Sequence, residues 1–267
     1  MERKFAVVTT FHQAGYDKYG KRMINTFLEN WPDQVELWVY IEEATVDERC
    51  DGRLFVLRES NDLEKFVEKW KDVPKANGDI SGVPRLASRK DSHKPFKWQA
   101  IRFAHKVYSI FDCAKRSNAD ILMWMDADTV CHSPITHERL EELVPKNVDI
   151  CYLGRQGKYS ECGLYSMNLK SIGTHRFLNE FQRMYDDAEN GIFTLEEWHD
   201  SFVFDDVRKR TQPVECNWSA GIIKGEGHPL INCEWGAYLD HLKGDRKSTG
   251  KSLAKDLRVK RTEKYWQ

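Results

Sequence analysis

With 267 residues, 40% of them hydrophobic and 31% charged, and a net charge of −1, the chain can bury a sizeable core and has no global field that dictates a polyanionic partner. No stretch approaches the length of a membrane span, and the apolar run in MERKFAVVTTF is too short for a signal peptide, so a cytoplasmic protein without a membrane anchor is expected. Seven cysteines, at 50, 113, 131, 151, 162, 216 and 233, form no CxxC pair and read as reduced core thiols.

FAVVTTF (5–11) is a β-branched run that predicts a strand, and HQAGYDKYG after it predicts a turn. Met23, Ile24, Phe27 and Leu28 have helical spacing, and VELWVYIE (35–42) and RLFVL (53–57) predict two further strands. Such a strand–helix–strand opening implies an α/β fold with a parallel sheet of Rossmann type, whose ligands bind at the carboxyl ends of the strands. NDLEKFVEKW predicts a helix capped by Asn61 with Glu64. Residues 72–95, rich in Gly, Pro, Ser and Lys and without a period, predict a long surface loop. Ala100, Phe103, Ala104, Val107, Ile110, Phe111 and Ala114 fall at steps of three and four and predict a helix that runs into the strand ILMWM. VDICYLG (148–154) and ECGLYSMNLK (161–170) follow, then a helix with Phe177, Leu178, Phe181, Met184 and Tyr185 on its apolar side. TLEEWHDSFVFDDV predicts a helix with a capping box of Thr194 and Glu197 and with Asp200 near its middle; the stretch from Cys216 to Lys247 is irregular.

The ILMWM run ends in Asp126-Ala127-Asp128. Two carboxylates that close repel each other and lose hydration, so both need a partner. Strand alternation at the end of ILMWM would put both on one face, where they suit a hard divalent cation, Mn²⁺ or Mg²⁺, able to bridge to phosphates. Ammonium or guanidinium groups are the structural alternative. Further on, DHLKGDRK contains His241, Gly244 and Lys247 as H-x-x-G-x-x-K. Imidazole can ligate Mn²⁺, glycine lets backbone approach a phosphate, and lysine neutralises it.

Together these segments resemble the family 8 glycosyltransferases of the GT-A type, which hold a nucleotide sugar through a metal bound by a D-x-D motif. ECGLYSMN (161–168) is similar to that family's N-S-G-x-x-x-x-N strand at Gly163 and Asn168 and departs at Glu161-Cys162; Ser248-Thr249 replaces the Pro-Trp that follows the family's lysine. The resemblance implies a single large domain with a GT-A-like Rossmann-type mixed sheet flanked by helices. Its parts would be a nucleotide-sugar-binding βαβ region (1–130), an acceptor-binding and catalytic region (131–247) and a basic C-terminal tail (248–267). It further implies transfer of a sugar from a nucleotide-diphosphate donor to a hydroxyl-bearing acceptor, with retention. Asp126, Asp128 and His241 would hold the metal, and Gly244 and Lys247 the diphosphate. Asp200, matching the first carboxylate of the family's D-Q-x segment although Ser201 replaces its Gln, would lie nearest the reacting carbon. Thr9, Thr10 and Phe11 would hold nucleobase and ribose, with Tyr16 or Tyr19 stacking, and Lys97 would reach the diphosphate.

Two other readings remain open. Asp126, Asp128 and Val130 match the D-x-D-x-[TV] of haloacid-dehalogenase phosphatases, in which the first Asp is a nucleophile. That motif belongs on the first strand of its fold, whereas about 120 residues precede it here. Residues 243–264 carry nine Lys or Arg against three acidic residues. With Arg85, Arg89, Lys90, Lys94 and Lys97 they could grip nucleic acid through its phosphates. A transferase whose acceptor is an anionic glycan or nucleic acid would combine both features.

Overall fold

The β-branched run at the N-terminus forms strand β1 (Phe5–His12), and each face of it meets a different core. Ala6 and Val8 face one hydrophobic cluster, and Phe5, Val7 and Phe11 the other. The computed structural model describes residues 2–48, 52–222 and 228–267; Cys50, one of the seven cysteines, lies outside them, and the six described cysteines are free thiols. Helix α1 (Lys21–Asn30) follows, then β2 (Glu36–Glu42) and β3 (Leu54–Arg58). β2 pairs with β1 and β3 with β2, both in parallel register.

Helix α2 (Asn61–Trp70) starts one residue earlier than its sequence suggests, because Ser60, in extended geometry, accepts from Leu63 N and serves as the cap. The 72–95 loop contains only short turns, yet it seats Ala76, Ile80 and Leu86 in the core. Helix α3 (Ala100–Arg116) then delivers the chain to β4 (Ile121–Met125). Every residue of β4 is buried, with Leu122 and Trp124 in one core and Ile121, Met123 and Met125 in the other, which accounts for an apolar run without alternation.

Helix α4 (His137–Leu143) precedes β6 (Ile150–Arg155) and β7 (Lys158–Asn168). The seven-stranded sheet runs β3-β2-β1-β4-β7-β6-β8, with β8 at Glu215–Asn217. The strands from β3 to β4 are parallel, and β7 is antiparallel to both β4 and β6. Helices α2, α3, α5 (Ile172–Asp186) and α6 (Asp200–Thr211) cover one face; α1 and α4 cover the other. The result is a single large α/β domain with a mixed, mostly parallel sheet flanked by helices.

Helix α6 begins at Asp200, not at Thr194. His199 accepts from Phe202 N as its cap, Thr194 Oγ1 donates to Gly191 O, and Glu197 is held by Lys97 and Tyr159, so no capping box forms. Asp200 is therefore the first residue of the helix rather than a mid-helix one.

A separate two-stranded ribbon pairs β5 (Thr129–Cys131) with β9 (Leu239–His241). The basic stretch after residue 247 is not a free tail: it packs back onto this ribbon. Asp240, fully buried, accepts from Ser252 N, Ser252 Oγ and Tyr265 Oη, while Arg261 donates to the carbonyls of Ile231 and Cys233. Trp266 Nε1 donates to Gly236 O, and Arg246 pairs with Asp256. Ser252 and Tyr265 thus hold the strand that carries His241, and Arg261 ties the segment to the chain just before it. Among the described residues no helix is long and apolar enough to cross a membrane.

Candidate metal centre at the end of strand β4

Beyond Met125 the chain leaves the sheet and turns at Ala127-Asp128, with Asp126 O accepting from Thr129 N at 3.1 Å. The turn, not strand alternation, brings the two carboxylates together. β5 then pairs with β9 and places Thr129 opposite His241, so a histidine 113 positions later meets the acidic pair. His241 Nε2 lies 2.9 Å from Asp128 Oδ1 and 3.4 Å from Asp126 Oδ2. One ligand atom from each of the three side chains falls within 4.8 Å of the others. Two carboxylate oxygens and an imidazole nitrogen on one point form a donor set suited to a divalent cation such as Mn²⁺.

The ring of His241 is held closely. A Cβ on Gly163 would stand 2.3 Å from its Cε1 and 2.5 Å from its Nδ1, so only glycine leaves the imidazole its place. Nδ1 is buried without a hydrogen-bond partner among the described residues, 3.8 Å from Glu161 Oε1. Glu161, buried on β7, also pairs with Lys243 and lies 3.7 Å from Arg155 Nη1. Burial alone would raise the Glu161 carboxyl, but Lys243 and the neighbouring histidines hold it well below the usual range. Gly163→Ala is expected to push the imidazole out of line, cost about 1–3 kcal/mol by overpacking, and weaken Mn²⁺ binding. Calorimetric metal titration beside a melting curve checks this; wild-type metal affinity would refute it.

Each carboxylate also has an ammonium neighbour. Lys247 Nζ is 2.8 Å from Asp128 Oδ2 and lies over the Tyr19 ring, 4.8 Å from its centroid. Lys106, on α3, donates to Asp126 Oδ1 at 3.2 Å, to Asp200 Oδ2 at 2.6 Å and to Cys162 O at 2.5 Å. Burial works against the Asp128 and Asp200 anions, but His241 and Lys247 outweigh it for Asp128, and Lys106 for Asp200, so both carboxyls sit below their ordinary values. Burial likewise disfavours a charged His241, yet Asp128 outweighs it and raises the imidazole.

Lys106, Glu161 and Lys243 line a cavity of about 270 Å³ at the carboxyl ends of β1 and β4, and His241 is buried beside the acidic pair rather than in its lining. Thr10, Phe11, Asp126, Asp128, Asp200 and Lys247 all face it. Thr9 does not: it alternates to the opposite face of β1 from Thr10 and is fully buried. Tyr19 lines the cavity, whereas Tyr16 is buried with its hydroxyl on Glu48. Gly244 has φ +60, which favours glycine in the turn between His241 and Lys247, and open space where a Cβ would be.

Lys97 is displaced from its expected place. It precedes α3, in the turn Pro95–Trp98, and its ammonium sits 2.6 Å from both Asp91 Oδ2 and Glu197 Oε1 in a neighbouring cleft. Lys106, on α3, reaches Asp126 in its stead. Its signal was weak, a lone lysine between the apolar positions of α3, while Glu161 was a departure from its motif and Lys243 an unassigned position within H-x-x-G-x-x-K.

Glu197 gives a pH prediction. Burial raises its carboxyl, but hydrogen bonds from His199 and Lys97 prevail and bring it down to about 2. Its folded value lies below the unfolded one of about 4.3, so the stabilisation is complete above that pH and is lost as pH falls toward 2. Denaturant titrations across this window should show a shallower acid dependence for Glu197→Gln than for wild type; equal slopes would contradict the pairing.

Comparison with protein-family models and with curated protein sequences finds no match.

Proposed function

We propose that the protein is a metal-dependent glycosyltransferase that moves a sugar from a nucleotide-diphosphate donor to a hydroxyl acceptor with retention. The observation that carries this reading is the meeting of Asp126 and Asp128 with His241 and Lys247, the ends of two motifs more than a hundred residues apart, at the mouth of a cavity beside β1. Asp126, Asp128 and His241 fit Mn²⁺ or Mg²⁺ by their donor atoms and by the space that Gly163 keeps for the imidazole. The bound ion would offset the charge growing on the diphosphate as the glycosidic bond breaks. Lys247 is placed to share that role through its ammonium. Thr10, Phe11 and Tyr19 form the wall on which nucleobase and ribose would rest. Asp200, fixed by Lys106, faces the same cavity and is the candidate group nearest the reacting carbon.

A thermal-shift screen of nucleotide sugars with and without Mn²⁺ tests the proposal, because a ligand that binds only the native state raises the melting temperature. At least one nucleotide sugar should stabilise the protein with Mn²⁺ and lose that effect in chelator. Turnover of simple phosphate monoesters with Mg²⁺, with no response to any nucleotide sugar, would instead favour the phosphatase reading.

A further inference from the structure

A second cleft of about 1040 Å³ adjoins the acidic cavity and shares Phe103, Asp200, Ser201 and Lys243 with it. Ligand sites for small molecules span about 300–1,000 Å³, so this cleft admits something larger than a single small group. It meets the first cavity at Asp200.

Three carboxylates in its wall are already matched. Glu197 is held by Lys97, Asp200 by Lys106, and Asp205 accepts from Ser160 N and Oγ and lies 3.2 Å from Arg208. Lys94 and Lys209, both exposed, line the cleft and form no ion pair among the described residues. The wall therefore presents surplus positive charge. Beside it stands Phe96, 47% exposed although large and apolar, with Phe103 and Tyr159 grouped around the His199 ring. Such ring faces accept the C–H side of a pyranose, while the ammonium groups accept an anion.

Resting on the glycosyltransferase reading above, we propose that this cleft binds the acceptor and that the acceptor is an anionic saccharide, carrying phosphate or carboxylate. A nucleic-acid strand fits less well: two surplus ammonium groups fall short of the roughly 6–10 phosphate contacts of a nucleic-acid site, and Arg246 and Arg261 are committed within the C-terminal segment. In the reaction, an acceptor hydroxyl oxygen bonds to the sugar's anomeric carbon. The bond from that carbon to the diphosphate breaks, its electron pair leaves on the phosphate oxygen, and the hydroxyl proton passes to that oxygen.

Calorimetric titration of the intact chain with glucose 6-phosphate, glucuronic acid and glucose, without donor, tests the assignment and separates phosphate from carboxylate. Charged sugars should bind more tightly than glucose, and Lys94→Glu and Lys209→Glu should each weaken them by about fivefold, the size of one exposed ion pair, without changing glucose binding. Both variants should keep the Mn²⁺-dependent stabilisation by nucleotide sugars. Equal affinity for charged and neutral sugars, no binding, indifference to both charge reversals, or tighter binding of a short single-stranded oligonucleotide would each overturn the proposal. If charged sugars bind as expected while no nucleotide sugar stabilises the protein, the donor reading falls and the saccharide site stands.

Discussion

Replacing Asp128 by Asn should lower Mn²⁺-dependent turnover of the donor by at least about 100-fold, the upper end of the cost of losing a mere supporting group around a metal. Asn keeps the shape of the side chain and removes its charge. Asp128 is the better placed of the two carboxylates: its Oδ1 is 2.9 Å from His241 Nε2, its Oδ2 is 2.8 Å from Lys247, and its side chain is only 11% exposed. The substitution therefore takes away an anionic ligand and the partner that orients Lys247 in one step.

Some stability should be lost, because the buried His241 loses an ion partner, whereas Lys247 keeps 27% of its side chain in solvent and regains hydration. Melting curves and Mn²⁺ titration of the same preparation separate the two effects. A protein that still folds and melts cooperatively but binds Mn²⁺ poorly fits the assignment. Turnover within a factor of about two of wild type, with normal metal binding, would show that this carboxylate holds nothing that matters to the chemistry.

How far the site was legible follows from which interactions are local. ILMWM had to be a buried strand because five consecutive apolar residues ending in charges fit a sheet covered on both faces, and β4 is such a strand. The pairing of that strand's end with His241 was suggested by two motifs but depends on β9, a three-residue strand too short to show a period. Lys106 was the hardest to see. Its neighbours Val107, Ile110 and Phe111 define a helix face by their spacing, whereas the lysine's burial depends on Asp126 and Asp200, which are 20 and 94 residues away. Thr194 and Glu197 failed in the opposite way: a valid local capping pattern lost to tertiary partners, since Lys97 and Tyr159 hold the glutamate. The C-terminal segment was read by its charge, yet Ser252 and Tyr265, which are neutral, clamp Asp240 and fix its place.

Lys106→Met should be the most destabilising single change at the site. The ammonium is buried, with 9% of the side chain exposed, and it lies 4.6 Å from the Trp124 ring centroid besides serving Asp126, Asp200 and the Cys162 carbonyl. Burial alone would favour a neutral amine, but Asp126 and Asp200 hold the proton on, so Lys106 stays charged well above its ordinary range. Methionine fills similar volume without charge and leaves two close carboxylates to repel each other. Removing one member of a buried ionic group costs about 3–5 kcal/mol, which for a chain of this size lowers the melting temperature by roughly 10 °C. The double variant Lys106→Met/Asp200→Asn decides the cause. If the loss arises from uncompensated charge, the second substitution returns part of it, and the two changes are strongly non-additive. Additive losses would mean that Lys106 matters only for packing against Trp124, and the electrostatic account of how Asp200 is held in the cavity would have to be abandoned.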